Sequence, residues 1–458
     1  MKALRLACMA VLAVAVAAVA YALQPDRRPN LLWISVEGLR PDRLPVYGYA
    51  NTRTAGVTYL AQNGIVFDRA FVDTPWTAAA MASGFTGRFA VHHGLRTPFL
   101  RLPESEVTIA EILSGEGYRT AAIAGSFDAD AVFGLGQGFQ DYDARYDSPL
   151  EESGPRGHLP SAFFEKVADQ RSYLARKRRS DSYRSDAAIG DAAVAWLESS
   201  SRMRPFFLWV DFFGPRHRDI RGETVPEAAL RLRAEYDGRV AKLDAAIERV
   251  LEHLEKSGRL GNTLIVLQGT HGESLTEHGE IGHGATLYDP VLSVPLIVSW
   301  PGRLQGSRTA ALARNVDLLP TILELLGLPM AQGVDGRNLA GLARGEAAAG
   351  EEPLLAETWF PAMATLASFN PDGTAVTPGV WRRAVRTSQW KYIRSEPHPF
   401  INYDPAPPLP HNAAAFRTEE LYDLAADPGE LRNLAPALPQ VVARFRFLAD
   451  AVPPVKGP

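Results

Sequence analysis

An α/β architecture, with a central, mostly parallel sheet, helices on both faces and a small α+β part at the C-terminus, is the fold class this sequence predicts. Three observations lead there. Short apolar runs bounded by Pro, Gly or Asn read as strands buried on both faces. Segments with apolar residues three or four apart read as helices, and the two kinds alternate as parallel strands joined by crossover helices do. After about Gly350 this alternation gives way to paired strand patterns and turns. The 458 residues are 46% hydrophobic and 22% charged, with a net charge of −4. That balance excludes a disordered chain, a fibre and a polytopic membrane protein. It leaves no basic footprint for nucleic acid. The single cysteine, Cys8, excludes a disulfide framework and a cysteine-based zinc site.

In chain order, Lys2 and Arg5 precede an apolar stretch from Leu6 to Leu23. A basic start before an apolar run marks a secretory segment. Its 18 residues are close to the ~20 that span a bilayer, so a signal peptide and a signal anchor both fit residues 1–24. The folded part is expected outside the cytoplasm, periplasmic or secreted, anchored in the inner membrane if the segment is retained. Asn30–Val36 reads as a buried strand. Thr54–Asn63 is helical, with Gly64 as its C-cap, and Ile65–Phe67 is a second strand. Thr74-Pro75-Trp76-Thr77 opens an Ala-rich helix that Gly87 ends, Thr77 being a cap candidate. Thr108–Leu113 is helical and Arg119–Ala124 a strand. Residues 128–184 are polar and irregular, and the basic run 176–179 reads as a solvated face. Helices over Asp186–Ser199, Leu230–Ser257 and Val316–Leu326 alternate with strands over Pro205–Val210, Asn262–Leu267 and Val294–Val298. In such sheets, sites form beyond the carboxyl ends of strands, here the loops after Val36, Val210 and Leu267.

Four stretches carry more than fold: "NLLWISVEGLRPDRLPVYG" from Asn30, "PWTAAAMASGFTGRFAVHHG" from Pro75, "TLIVLQGTHGESLTEHGEIGHGATLYDPVLSVP" from Thr263, and "VDLLPTILELLGLP" from Val316 with "RAVRTSQWKYIR" and "EELYDLAADPGELRNL" beyond it. Together, and in this order, they resemble the sulfatase family of the alkaline phosphatase superfamily. The resemblance implies an alkaline-phosphatase-like α/β/α sandwich with a smaller C-terminal sheet. It divides the chain into a sulfatase-like α/β domain at 25–350 and a C-terminal subdomain at 351–458. It also implies hydrolysis of sulfate esters or, in sister branches, phosphate and phosphonate esters. There a divalent metal (Ca, Mn or Zn) holds the nucleophile and polarises an ester oxygen, and the partner is a small-molecule or glycan ester.

Residue by residue, the match is partial. Thr86-Gly87-Arg88 aligns with the end of the family's nucleophile signature, which places the nucleophile at Thr77 and matches Arg88 as a catalytic group. Formylglycine needs Cys or Ser, so this chain forms none, and Thr77 would attack directly as Thr does in phosphoesterase relatives. A helix cap is the plainer role for the same residue. The metal positions fall on Glu37, where relatives carry Asp, and on Thr270 and His271, where the Asp of an Asp-His pair is lost. Gly38 replaces a second carboxylate and gives the main chain room to retreat from the longer Glu. Asp211 and Arg216 stand where relatives place His, and are assigned to substrate, with His217 one step late. His283 matches the family's group near the leaving oxygen. His271, His278 and His283 form an alternative metal set. Glu273, Glu277, Glu280 and Asp42 read as loop charges. Two functions follow: an exported esterase using Thr77, or a degenerate, non-catalytic member that binds an anionic ligand or partner. A headgroup transferase also uses Thr, but the related transferases carry several membrane helices.

Overall fold

A computed structural model describes residues 28–97, 100–145, 148–149, 182–201, 203–216, 225–346, 350, 352–360, 379–398 and 417–450. The N-terminal apolar segment, the basic run 176–179 and His217 lie outside the described residues. Among the described residues, no helix is long and apolar enough to cross a membrane.

The central sheet contains β1 (Asn30–Val36), β2 (Gly64–Phe71), β3 (Arg119–Ile123), β4 (Asp141–Asp143), β5 (Phe206–Phe212), β6 (Thr263–Gly269), β7 (Leu296–Ser299) and β8 (Ser307–Arg314). Their order is β8-β2-β7-β6-β1-β5-β3-β4. β1 lies between β5 and β6, parallel to both. β7 runs against its neighbours β2 and β6, so the sheet is mostly parallel. Among the described residues, the longer helices that flank it are α1 (Ala55–Gln62), α2 (Thr77–Thr86), α3 (Ile109–Gly115), α4 (Asp186–Ser199), α5 (Val225–Lys256) and α6 (Leu318–Leu326).

The period-two geometry of a strand splits β1 between two cores. Leu31 and Trp33 join the apolar faces of α2, α3 and α6, while Leu32, Ile34 and Val36 join those of α1, α4 and α5. Both faces of the sheet are thereby buried, as a parallel sheet requires. In the C-terminal part, β9 (Leu354–Phe360), β10 (Gly379–Arg386), β11 (Trp390–His398) and β12 (Thr418–Asp423) form an antiparallel sheet. Helix α7 (Pro439–Asp450) covers one face through Val442, Phe445 and Ala449. Leu354, Ala356, Ala384 and Ile393 continue the main core on the other.

Three local readings change. Gly64 does not cap α1: Asn63 does, and Gly64 opens β2, where a Cβ would lie 2.3 Å from the Val298 carbonyl oxygen. Thr77 is not a cap either. Trp76 occupies that position without a side-chain cap bond, and Thr77 is the first helical residue. The edge strands β4 and β8 were not foreseen. Each pairs on one side only; Asp-Tyr-Asp has no apolar run, and the run in β8 is Ala-Ala-Leu-Ala, a composition that does not mark a strand.

Candidate active site

Backbone hydrogen bonds tie three strand ends together. Thr270 N donates to Val36 O at 2.9 Å, and Glu37 N donates to Phe212 O at 3.1 Å. The residues after β1, β5 and β6 are thus fixed around one point, toward which α2 begins. Thr77 Oγ1 lies 3.2 Å from Thr270 Oγ1, and both residues are buried. Next in sequence, His271 is also buried, with its Nδ1 2.7 Å from Gly272 O. A carbonyl only accepts, so Nδ1 holds the proton and Nε2 the lone pair. That Nε2 is buried and has no hydrogen-bond partner. The ring of His283 stacks on His271 at 3.9 Å between centroids, with 26° between planes. His283 Nδ1 is 2.7 Å from Glu273 Oε2, and Glu273 is itself fully buried. Burial, and then the charge of His283, hold the His271 pKa well below the ordinary histidine range. His271 is therefore neutral at pH 7, with its base nitrogen unoccupied.

The loop that returns from Glu273 to His283 is pinned from outside. Arg40 Nη1 donates to Glu273 O at 2.9 Å and to Glu277 Oε1 at 3.0 Å, and Arg40 also pairs with Asp42. Glu277 and Asp42 are structural charges of this clamp. Glu273 is different, because its carboxylate faces inward. The loop also holds Thr276 at φ 111°, a strained conformation for a β-branched residue.

A second group surrounds Glu37. Its Oε1 accepts from Ser126 Oγ and its Oε2 from Arg216 Nη1; the same Nη1 reaches Asp128 Oδ2 at 2.5 Å. Ser126 and Asp128 come from the loop after β3, a strand end that the sequence reading did not include. Gly38 sits at φ +67°, and a Cβ there would be 3.0 Å from Arg216 Cα. The room at Gly38 thus admits the Arg216 main chain instead of letting Glu37 retreat. Burial raises the Glu37 pKa against the lowering effect of Arg216. Burial works against the Arg216 charge too, but Asp128 and Glu37 outweigh it and keep the guanidinium protonated.

Several expected placements are corrected. Arg88 stands beyond the far end of α2, and ten helical residues put it roughly 15 Å from Thr77. There it binds Glu106 through Nη1 at 2.6 and 2.7 Å. Asp211 lies within β5, opposite Ser35, whose Oγ donates to Asp211 Oδ1 at 2.5 Å. Full burial, then the charge of Glu37, raise its pKa well above the carboxylate range. It is a neutral acid beneath the site, out of reach of a substrate. His278 stacks on Tyr288 at 3.7 Å and lines a cavity of about 220 Å³ with Glu280, Arg382 and Glu420. Glu273, not His278, completes the group with His271 and His283, whose ligating atoms lie within 4.8 Å of one another.

The metal set expected at Glu37, Thr270 and His271 does not fit a divalent cation. Both Glu37 oxygens are engaged, Gly38 and Thr270 bring no charge, and a guanidinium already sits on the carboxylate. A divalent ion about 4 Å from Arg216 would be repelled by about 8 kcal/mol at an effective dielectric constant of about 20. In the second group, the Glu273 carboxylate is engaged by His283 Nδ1 and the two rings are stacked, while the buried His271 Nε2 has no hydrogen-bond partner.

A sequence model of the Sulfatase family matches residues 29–328. The chain belongs to the sulfatase family. Members are hydrolases of sulfate esters and usually employ a divalent metal. The chain is 26% identical to arylsulfatase A of Homo sapiens over 473 aligned residues, covering 94% of this chain and 89% of the relative. It is 22% identical to a Delta 4,5-hexuronate-2-O-sulfatase of Bacteroides thetaiotaomicron, covering 94% and 89%. Among solved structures, the phosphonate monoester hydrolase of Agrobacterium radiobacter shares the fold with a TM-score of 0.68 at 20% identity, over 93% of this chain and 95% of that one. A 2-O GAG sulfatase matches at TM-score 0.68 and 21% identity, over 93% and 91%. These matches establish the sulfatase-type α/β fold, a large mostly parallel sheet with a small antiparallel C-terminal one.

Proposed function

We propose that this sulfatase-family chain hydrolyses sulfate or phosphate monoesters on a glycan or other small molecule, with Thr77 as nucleophile. The observations that carry the reading are the Thr77–Thr270 hydroxyl contact and the stacked His271–His283 pair, whose His271 follows Thr270 directly in the chain. Two like groups in unlike surroundings divide into a base and an acid. Neutral His271 accepts the Thr77 hydroxyl proton as Oγ attacks sulfur or phosphorus. The bond from that centre to the ester oxygen breaks, and His283, held by Glu273, gives its proton to the departing alkoxide. Water then gives a proton to His283 as it attacks the threonine ester; the bond from sulfur or phosphorus to Thr77 Oγ breaks, His271 returns its proton to that oxygen, and hydrogen sulfate or phosphate leaves with the hydroxyl and both histidines restored. The names of two relatives, the hexuronate 2-O-sulfatase and an ulvan-active sulfatase of Formosa agariphila, favour a sulfated glycan.

Steady-state turnover of 4-nitrophenyl sulfate and phosphate tests the reading. The wild-type chain turns over one of them, and Thr77→Ala lowers kcat by about 10³-fold or more. Equal rates for both forms contradict it. A second reading, ligand binding without turnover, is favoured by the Arg216–Glu37 pair and takes over if neither ester is hydrolysed. Export, periplasmic or secreted, rests on the 1–24 segment, and the N-terminal sequence of the exported protein reads whether it is cleaved.

A further inference from the structure

We propose that the guanidinium of Arg216 is the fixed cation of this site, taking the charge role a divalent metal has in the family, and that its Nε edge receives the substrate oxyanion without metal. Nη1 of Arg216 is committed to Glu37 and Asp128. On the opposite edge of the planar group, which carries Nε and Nη2, the Nε is buried with no hydrogen-bond partner. This edge matches two oxygens of a tetrahedral sulfate or phosphate side-on.

The surroundings hold the group in place. Phe213 lies under it at 5.5 Å from its ring centroid, and Arg239 Nη1 donates to Arg216 O at 2.6 Å. Gly38 alone allows the close approach of the Arg216 main chain, since any Cβ would press on its Cα. Ser126 and Arg216 together occupy both oxygens of Glu37. The substitutions that look like erosion of a metal site are mutually consistent: a longer acid, a glycine beside it, and an arginine reaching in from the segment after β5. The start of α2, left without a side-chain cap at Trp76, adds unsatisfied N–H groups next to Thr77.

The inference rests on the same site as the esterase reading but is tested apart from it. Calorimetric titration of inorganic sulfate and phosphate is run on the full-length Thr77→Ala protein, which binds without turning over, with and without EDTA, alongside metal analysis of the wild-type protein. The expected result is substoichiometric metal, and an affinity for one anion that EDTA changes by less than twofold. Arg216→Lys, which keeps the charge but loses the planar edge, weakens that anion at least tenfold. Arg216→Ala weakens it further and gains binding of calcium or manganese. Should Arg216→Ala not fold, the Arg216→Lys and EDTA arms decide alone. Tightly bound stoichiometric metal, anion binding abolished by EDTA, no anion binding at all, or an unchanged affinity in Arg216→Lys would each overturn the proposal. Loss of turnover in the wild type would overturn the esterase reading and leave this one standing.

Discussion

Glu273 shows why some residues of the candidate site stay hidden in a sequence. Among acidic neighbours in a polar loop it looks like one more solvated charge. Only the return of the chain at Ile281–Gly282 onto Ser274–Leu275 turns it inward onto His283. The spacing His271-Gly272-Glu273, followed ten residues later by His283, was the available signal. Ser126 and Asp128 were hidden for a different reason, since they follow β3 and meet Glu37 only through the strand order of the sheet. Thr77, His271 and His283 were legible because family motifs carry them, and Arg88 misled because a motif match fixes register, not proximity. Replacement of Glu273 by Gln keeps a hydrogen-bond acceptor and removes the charge, and kcat is expected to fall about 10²-fold with KM little changed. Steady-state kinetics on both nitrophenyl esters checks this. A second residue-scale prediction concerns His93, which is buried. Its Nδ1 accepts from Leu95 N at 3.1 Å, and its Nε2 lies 2.9 Å from Ser83 Oγ. Burial lowers its pKa to about 3. In the unfolded chain it titrates near 6.5, so below that pH the unfolded state takes up the proton first. The stability that His93 contributes is complete above about pH 6.5 and declines at up to about 1.4 kcal/mol per pH unit as pH falls toward 3. Urea unfolding at pH 7.5, 5.5 and 4.5 should show this decline flattened in His93→Gln.

At the scale of elements, the central strands and long helices could be read from apolar runs and spacing because burial on two faces dictates their composition. The helix over Asp186–Ser199 was read to its ends, since Ser185 caps it and Ser200 leaves it in extended backbone. β4 was not legible because its three residues carry no apolar run, and β8 because its apolar half, Ala-Ala-Leu-Ala, favours helix over strand by composition. Gly64 was misread because helix capping and close strand packing both call for glycine, and only the neighbouring strand decides between them. Gly64→Ala should therefore behave as a clash in the sheet and cost about 2 kcal/mol or more through displacement of β7; a lost cap would cost only about 1 kcal/mol. Chemical denaturation measures the difference.

Across the whole molecule, a buried ionic joint holds the C-terminal sheet to the main domain. Lys391 on β11 is fully buried, with Nζ 2.8 Å from Asp289 Oδ1 and 2.7 Å from Glu430 Oε1, while Arg386 on β10 binds Asp289 Oδ2 at 2.9 Å. Removing one partner of a buried pair leaves its counter-charges stranded. Lys391→Met is expected to destabilise the protein by about 3–5 kcal/mol in urea unfolding, with a loss of activity that follows the folded fraction. The esterase reading depends on one covalent event at the centre of this assembly, transfer of the sulfuryl or phosphoryl group to Thr77. Acid-quenched turnover followed by mass spectrometry of the tryptic peptide 70–88 tests it most directly. A sulfate or phosphate adduct on Thr77, absent in Thr77→Ala and absent without substrate, is the predicted result. An unmodified peptide during sustained turnover, or an adduct on any other residue, would contradict the account.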